Sequence, residues 1–427
     1  MAQDTRNSLW AHTAAPDISA TALQGDVQSD VAIVGGGFTG CAAALSLAQR
    51  GVKAHVLEAH SIGWGASGTT GGQVIPGLKY DPDEIDAMFG PELGPRMVSA
   101  VGGVGDEVFG LIERNGIDCD AQRKGWVQPA VSARTLEIGR RRCEQWQSRG
   151  ADVAVVDRAR MAQIIGSEIY RGGWEDRRAG HIQPLSYVRG LAGAAQRAGA
   201  VINVESPAVA IKRDGAKWRV TTSGGSVLAG QVLLATNGYT DGLWPGLRRT
   251  VVPVISYQAA TAPLPEELGR DILPERHAAS DARRLLWYYR RDRNGRLVMG
   301  GRAPFREDLG PADEGFVRLA VDTLFPQLRD TPFEFHWFGR VAMTQDHIPH
   351  LHRLDDGVWT ALGYNGRGVG MATLLGRFLA ELATDTRPAD IPFPVTAMKP
   401  ILGYPFTRLA ARALIGYYRF RDQLEDD

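Results

Sequence analysis

Apolar positions recur along this chain with two periods, and their alternation sets out the elements. Residues 30–34 (DVAIV) are a short continuous apolar run, the pattern of a parallel strand buried on both faces, and residues 39–50, rich in Ala and Leu, predict a helix. VKAHVL over 52–57 predicts the next strand. Between Ser61 and Leu78 stand six glycines, too many for the interior of either element, so an extended loop with close backbone approaches is expected there. A helix is expected from Pro82 to Asn115 and another from Leu185 to Gly199, followed by three strands, VINVES, KWRVTTS and QVLLATN. The last is continuously apolar, as a central strand would be. Residues 251–305 change character: VVPVISYQAAT, LLWYYRR and GRLVMGG read as antiparallel strands, the last two joined across Asn294-Gly295, a hairpin signal. Gly363 to Gly370 is again glycine-rich and runs into ATLLGRFLAELA, an amphipathic helix.

Composition narrows the classes. With 427 residues the chain exceeds one ordinary domain, and 48 basic against 48 acidic residues leave no net field to attract nucleic acid. Cys41, Cys119 and Cys143 are odd in number and lack CxxC spacing, so they read as free thiols in a reducing compartment rather than as disulfides or zinc ligands. The first thirty residues lack the basic and apolar regions of a signal peptide, and no run approaches the roughly 20 apolar residues of a membrane span. The cytoplasm is the expected location. HxxHxH at His347, His350 and His352 is read as a loop rather than a metal site, and Arg140 to Arg149 as a solvated helix face.

The sharpest motif is Gly35-Gly36-Gly37-Phe38-Thr39-Gly40, a GxGxxG that follows a strand and opens a helix. Gly35 permits the turn, Gly37 lets a pyrophosphate approach the backbone, and Gly40 lets the helix pack on the sheet, while the helix N-terminus offers free N–H groups to phosphate. Glu58, 18 residues after Gly40, is placed to accept from ribose hydroxyls, with Ala59 beside it. The motif alone leaves NAD and FAD open. FAD is longer, and the second glycine segment suits its path: Gly65, Ala66 and Ser67 can meet pyrophosphate and ribityl oxygens, and Gly71, Gly72 and Gln73 the isoalloxazine.

VGGGFTG, LEAHSIGWGASG and TGGQ together resemble the D-amino-acid oxidase superfamily of flavoproteins, its glycine/sarcosine oxidase and γ-glutamylputrescine oxidase relatives in particular. GHIQP at 180–184, VLLATNGY at 232–239 and GYNGRGV at 363–369 agree in order, and NSLWAHTA and YYRFRDQL resemble the γ-glutamylputrescine oxidase branch. The resemblance implies an α/β fold: a Rossmann-type FAD-binding domain with an interleaved antiparallel β-sheet (α+β) substrate domain. Its expected borders are a leader at 1–28, the FAD-binding domain at 29–83, 151–250 and 337–384, the substrate domain at 84–150 and 251–336, and a tail at 385–427. It further implies adenine contacts from the backbone of Ala208 and Val209, an ADP-flanking role for Ala235, Thr236 and Asn237, and roles at the flavin for Gly339, Gly363, Gly366, Arg367, Gly368 and Val369. A helix N-terminus at 366–369 would stabilise the charge that reduced flavin gains. Relatives that bind flavin covalently use a late Cys or the His of Trp-His-Ala; here Trp64-Gly65-Ala66 stands, and no Cys follows Cys143, so the FAD is expected to be non-covalent.

By the same resemblance the reaction moves a hydride from the carbon bearing a neutral amine to flavin N5, with oxygen as acceptor. The residues expected near it are Tyr257, Tyr288, Tyr289, Arg290, Arg302, Trp337 and Arg340, of which strand alternation lets only one of Tyr288 and Tyr289 face the ring. Glycine-oxidase-like members hold the substrate carboxylate with an Arg in Gly-x-Arg-x-x-Thr-x-Asp and a second near the flavin. This chain has Val341 and Gly366 there, which disfavours a simple α-amino acid and favours a substituted amine such as a γ-glutamylated polyamine. The alternatives are a dehydrogenase of N-methylated or cyclic amino acids that passes electrons to a quinone or partner protein, and an NAD(P)H-dependent flavoenzyme. The latter lacks a second GxGxxG. Sequence leaves the oligomeric state open.

Overall fold

The computed structural model describes residues 8–303, 306, 308–384, 386–407, 409, 411, 416 and 417. The first seven residues of the expected leader, most of YYRFRDQL and part of the expected tail lie outside these.

The strand Gly25–Val34 ends in four buried residues and lies at the middle of a sheet whose order is Val395–Ala397, His350–Asp355, Val358–Leu362, Gly225–Leu234, Gly25–Val34, Ala54–Leu57 and Val201–Asn203. Its central members are parallel, with Val31 opposite Ala54 and Ala32 opposite Val232, as their two-sided apolar sequences require. Ala210–Asp214 and Lys217–Thr221 continue it as an antiparallel flap on Gly225–Leu234. The helices Phe38–Gln49, Pro184–Arg197 and Gly368–Leu382 cover it; Gly376, whose Cβ would stand 2.5 Å from Thr39 O, lets the first and last pack closely.

A second sheet of eight described strands runs Phe333–Met343, Val252–Thr261, Leu297–Arg302, Tyr288–Arg291, Ala278–Ser280, Trp126–Pro129, Gly173–Asp176 and Val153–Val156. The hairpin at Asn294-Gly295 is present, Gly295 taking φ +79° and the Asp292 carboxylate accepting from the Asn294 and Arg296 N–H groups. Val153–Val156 and Gly173–Asp176 pair here rather than within the 151–250 portion of the first domain, and Phe333–Met343 crosses the expected border at 337. A four-residue strand carries no local mark of which sheet it joins. The helix expected over 82–115 is two, Pro82–Gly102 and Val104–Asn115, and the first is kinked at Gly90 (φ 74°, ψ 176°) ahead of Pro91. His350 and His352 belong to a strand, not a loop. The cysteines are free and buried; burial pushes the Cys119 thiol up to about 12 and the Cys143 thiol up to about 11. Among the described residues no helix is long and apolar enough to cross a membrane.

Candidate active site

A cavity of ≈ 1370 Å³ opens at the carboxyl ends of the parallel strands and extends to the second sheet. Gly35, Gly37, Phe38, Thr39, Glu58 and Ala59 line its first part. Gly35 takes φ +110° with no room for a Cβ, which would sit 2.9 Å from Ala235 O, and a Cβ on Gly40 would fall 1.9 Å from Gly35 O. Gly40 therefore packs the helix instead of lining the cavity. The Ser67 hydroxyl accepts from Phe38 N–H at 2.9 Å, which brings the second glycine segment over the helix N-terminus. The Glu58 carboxylate accepts from Gly36 N–H (2.6 Å) and His60 N–H (2.9 Å). Burial nevertheless raises its pKa, against those two backbone donors. A carboxylate so held at the mouth of a glycine cradle suits the ribose hydroxyls and phosphates of a dinucleotide.

Ala66–Gly68 is a single 3-10 turn. Gly65 lies under the Tyr239 ring, which is 3.0 Å from where its Cβ would be, and Trp64 is edge-on to Tyr239 with the His60 ring tilted against Trp64 at 4.0 Å. Beyond, the carbonyls of three successive residues accept from side chains of other segments. Thr69 O accepts from Gln258 Nε2 (2.6 Å) and Trp337 Nε1 (3.1 Å), Thr70 O from Trp10 Nε1 (2.8 Å), and Gly71 O from Arg290 Nε (2.8 Å). Gly72, at φ +74°, is buried with its Cβ position 2.2 Å from Ile182 O, and the Gln73 amide is held by Ala279 O and Ser280 Oγ.

Ala235, Thr236 and Asn237 line the cavity, and Asn237 Oδ1 accepts from Gly363 N–H. Gly363 itself packs on Thr344, and Val369 faces the core. Gly366, Arg367 and Gly368 line the cavity at the start of the last long helix; Arg367 Nη1 donates to Pro76 O at 2.7 Å, and burial pushes its pKa down to about 10. Pro207 and Ala208 line the wall, whereas Val209 is exposed and its N–H donates to Thr221 O. Gly339 is against the loop, with its Cβ position 2.3 Å from Thr69 Oγ1.

Of the residues expected near the reaction, Tyr288, Arg302 and Arg340 line the cavity. Tyr288 OH pairs with Ser256 Oγ at 2.7 Å, burial pushes its pKa up, and Arg340 lies over the Tyr239 ring at 4.8 Å. Tyr257 points the other way: it is buried on the opposite face of its strand, bonded to Gly310 O and His336 Nδ1, while its neighbours Ser256 and Gln258 line the cavity. Trp337 is buried behind the loop that it bonds, Tyr289 packs on Phe325, and Arg290 is buried beneath Gly71. Sequence reasoning missed Lys79, His347, Arg283 and Arg284, all of which line the cavity, and the part played by Trp10. It also took Arg142 for a solvated residue, yet its guanidinium bonds Asp81 and Gln128 at the cavity wall. Ile401, Leu402 and Phe406, in the expected tail, line the mouth.

Residues 30–382 match the family described as FAD dependent oxidoreductase. The chain is 32% identical to gamma-glutamylputrescine oxidoreductase of Escherichia coli (strain K12), covering 94% of this chain and 95% of that protein. It is 31% identical to a probable oxidoreductase, OrdL, of Haemophilus influenzae, covering 92% of each. Among solved structures, glycine oxidase from Geobacillus kaustophilus superposes with a TM-score of 0.74 at 22% identity, over 87% of this chain and 100% of that one, a likeness of fold.

Proposed function

The chain belongs to the FAD-dependent oxidoreductase family, and from that premise we propose that it is an amine oxidase whose substrate is γ-glutamylputrescine or a related substituted amine. The products on this reading are an imine that water hydrolyses to an aldehyde and ammonia or an amine, with oxygen reduced to hydrogen peroxide. Bound FAD would supply the hydride acceptor.

The observation that carries the reading is where the cavity keeps its positive charge. Val341 and Gly366, which by the resemblance to glycine-oxidase-like proteins stand where two arginines would clamp an α-carboxylate, both line the cavity. Their neighbours Arg340 and Arg367 also line the cavity but are engaged by the Tyr239 ring and by Pro76 O, while Lys79, Arg283, Arg284, Arg302 and His347 line it as well; Tyr80 OH, bonded to Asp346 O at 2.9 Å, ties the segment of Lys79 to that of His347. Burial, and then the charges of Lys79 and Arg302, push the His347 pKa down, so the ring is neutral beside two cations. The carboxylates lining the cavity among the described residues are Glu58 and Asp241. A substrate with its carboxylate several bonds from the oxidised carbon suits cations that stand outside the two clamp positions, and such a carboxylate is present in the substrate that the Escherichia coli relative's name states.

Within this scheme the Tyr288 hydroxyl, neutral and fixed by Ser256, orients the substrate rather than exchanging a proton with it. The three free thiols favour a reducing compartment, and we place the enzyme in the cytoplasm. The test is anaerobic mixing of the yellow protein with γ-glutamylputrescine, other amines and α-amino acids, following loss of the visible flavin band. Bleaching by the glutamylated amine with peroxide release in air is expected. Bleaching by α-amino acids alone would overturn the substrate assignment, and dye reduction without peroxide would favour the dehydrogenase.

A further inference from the structure

Four side chains from four separate segments, Trp10, Gln258, Arg290 and Trp337, donate to the three consecutive carbonyls of Thr69, Thr70 and Gly71. Trp10 and Arg290 are buried and do not line the cavity; Gly71 does, and Gly72 is buried next to it between the lining residues Gly71 and Gln73. No described peptide bond is cis, so each N–H points opposite the carbonyl before it. Fixing the Thr70 and Gly71 carbonyls on Trp10 and Arg290 therefore turns the N–H groups of Gly71 and Gly72 away from those buried side chains, on the loop that lines the cavity. Neither N–H has an acceptor among the described residues, whereas Thr70 N–H is satisfied by Ala66 O at 3.1 Å.

Two adjacent, unsatisfied backbone donors beside a cavity form a small anion-attracting concavity. We propose that Trp10, carried by the segment Leu9–Thr13, and Arg290 are positioning residues for the flavin: they hold the Gly71–Gly72 N–H pair against an acceptor atom of the bound ring. The arm is locked for this task. Gln183 Nε2 donates to Trp10 O at 2.8 Å, the Trp10 ring meets Trp337 edge-on at 5.4 Å, and the Arg290 guanidinium lies over its face at 4.5 Å. Arg290 Nη2 also donates to Ile182 O at 2.8 Å, so one guanidinium clamps the loop to the segment of Ile182. Donors at that edge gain strength as reduction adds negative charge to the ring, so their alignment raises the flavin's reduction potential.

The experiment uses the FAD-loaded protein. Trp10→Phe removes the indole donor and keeps an aromatic ring between Trp337 and Arg290; Arg290→Lys keeps the charge and loses the fork. The expected result for each is a more negative flavin potential, a shifted visible band and FAD affinity weaker by roughly tenfold, the size of one lost hydrogen bond. Potential is the deciding readout, because lost stability alone does not move it. If Trp10→Phe fails to retain FAD, Arg290→Lys decides. Wild-type potential in the variants that retain FAD overturns the proposal, whatever happens to melting temperature, and a changed KM at unchanged potential assigns the N–H pair to the substrate instead.

Discussion

Burial and hydrogen bonding pull the Glu58 carboxylate in opposite directions, and burial prevails, so its pKa lies above the usual range. A carboxyl group with a raised pKa in the folded state contributes its stability at low pH and loses it as pH rises through that value. In FAD-free protein, Glu58→Gln is therefore expected to raise the melting temperature at pH 7 relative to wild type and to leave it nearly unchanged at about pH 4. The same substitution should weaken FAD binding by tenfold or more, since hydrogen bonds to a charged acceptor are worth about 1.5–3 kcal/mol; titration of apoprotein with FAD measures it. Tyr288→Phe loses one bond, to Ser256, and should lower kcat/KM by about three- to tenfold with FAD content intact. Glu58 was legible in the sequence from its spacing, and Tyr288 as one of two alternating faces of its strand. Tyr257 was expected near the reaction and faces away from the cavity, because which face of its strand meets the cavity depends on what packs behind it, here His336 and the core around Phe316.

At the scale of elements, the second glycine segment works because other segments leave room for it. Gly339 has Thr69 Oγ1 where a Cβ would go, and Gly65 has the Tyr239 ring. Gly339→Ala should push the Thr69–Gly72 loop off its donors, and a fall in the flavin absorbance per protein in the purified variant would register it. The glycine count marked this interval as a loop, since no helix or strand interior tolerates so many. The donors that shape it were not legible: Trp10, Gln258, Arg290 and Trp337 lie from about 60 to 270 residues away along the chain. Nothing local marks such partners.

Across the whole molecule, net neutrality hides a cavity whose charged lining is mainly cationic, Lys79 and Arg302 among it, against the carboxylates of Glu58 and Asp241. Lys79→Gln is expected to raise KM for γ-glutamylputrescine several-fold and to leave an uncharged N-acylated putrescine unaffected; equal effects on both would remove Lys79 from carboxylate recognition. With Gly65 at the Trp-x-Ala position and no cysteine after Cys143, acid precipitation is expected to release all the FAD into the supernatant. By itself the sequence determined the βα turn with its acidic residue, which rests on backbone conformations and spacings within one contiguous stretch, while the α/β class and the flavin followed from a family resemblance carried by motifs along the chain. The tertiary structure alone decided which sheet the short strands Val153–Val156 and Gly173–Asp176 join, which face of Val252–Thr261 meets the cavity, and that Trp10 reaches the glycine loop. Those outcomes depend on partners distant in sequence, where packing and hydrogen-bond satisfaction act on the whole chain at once.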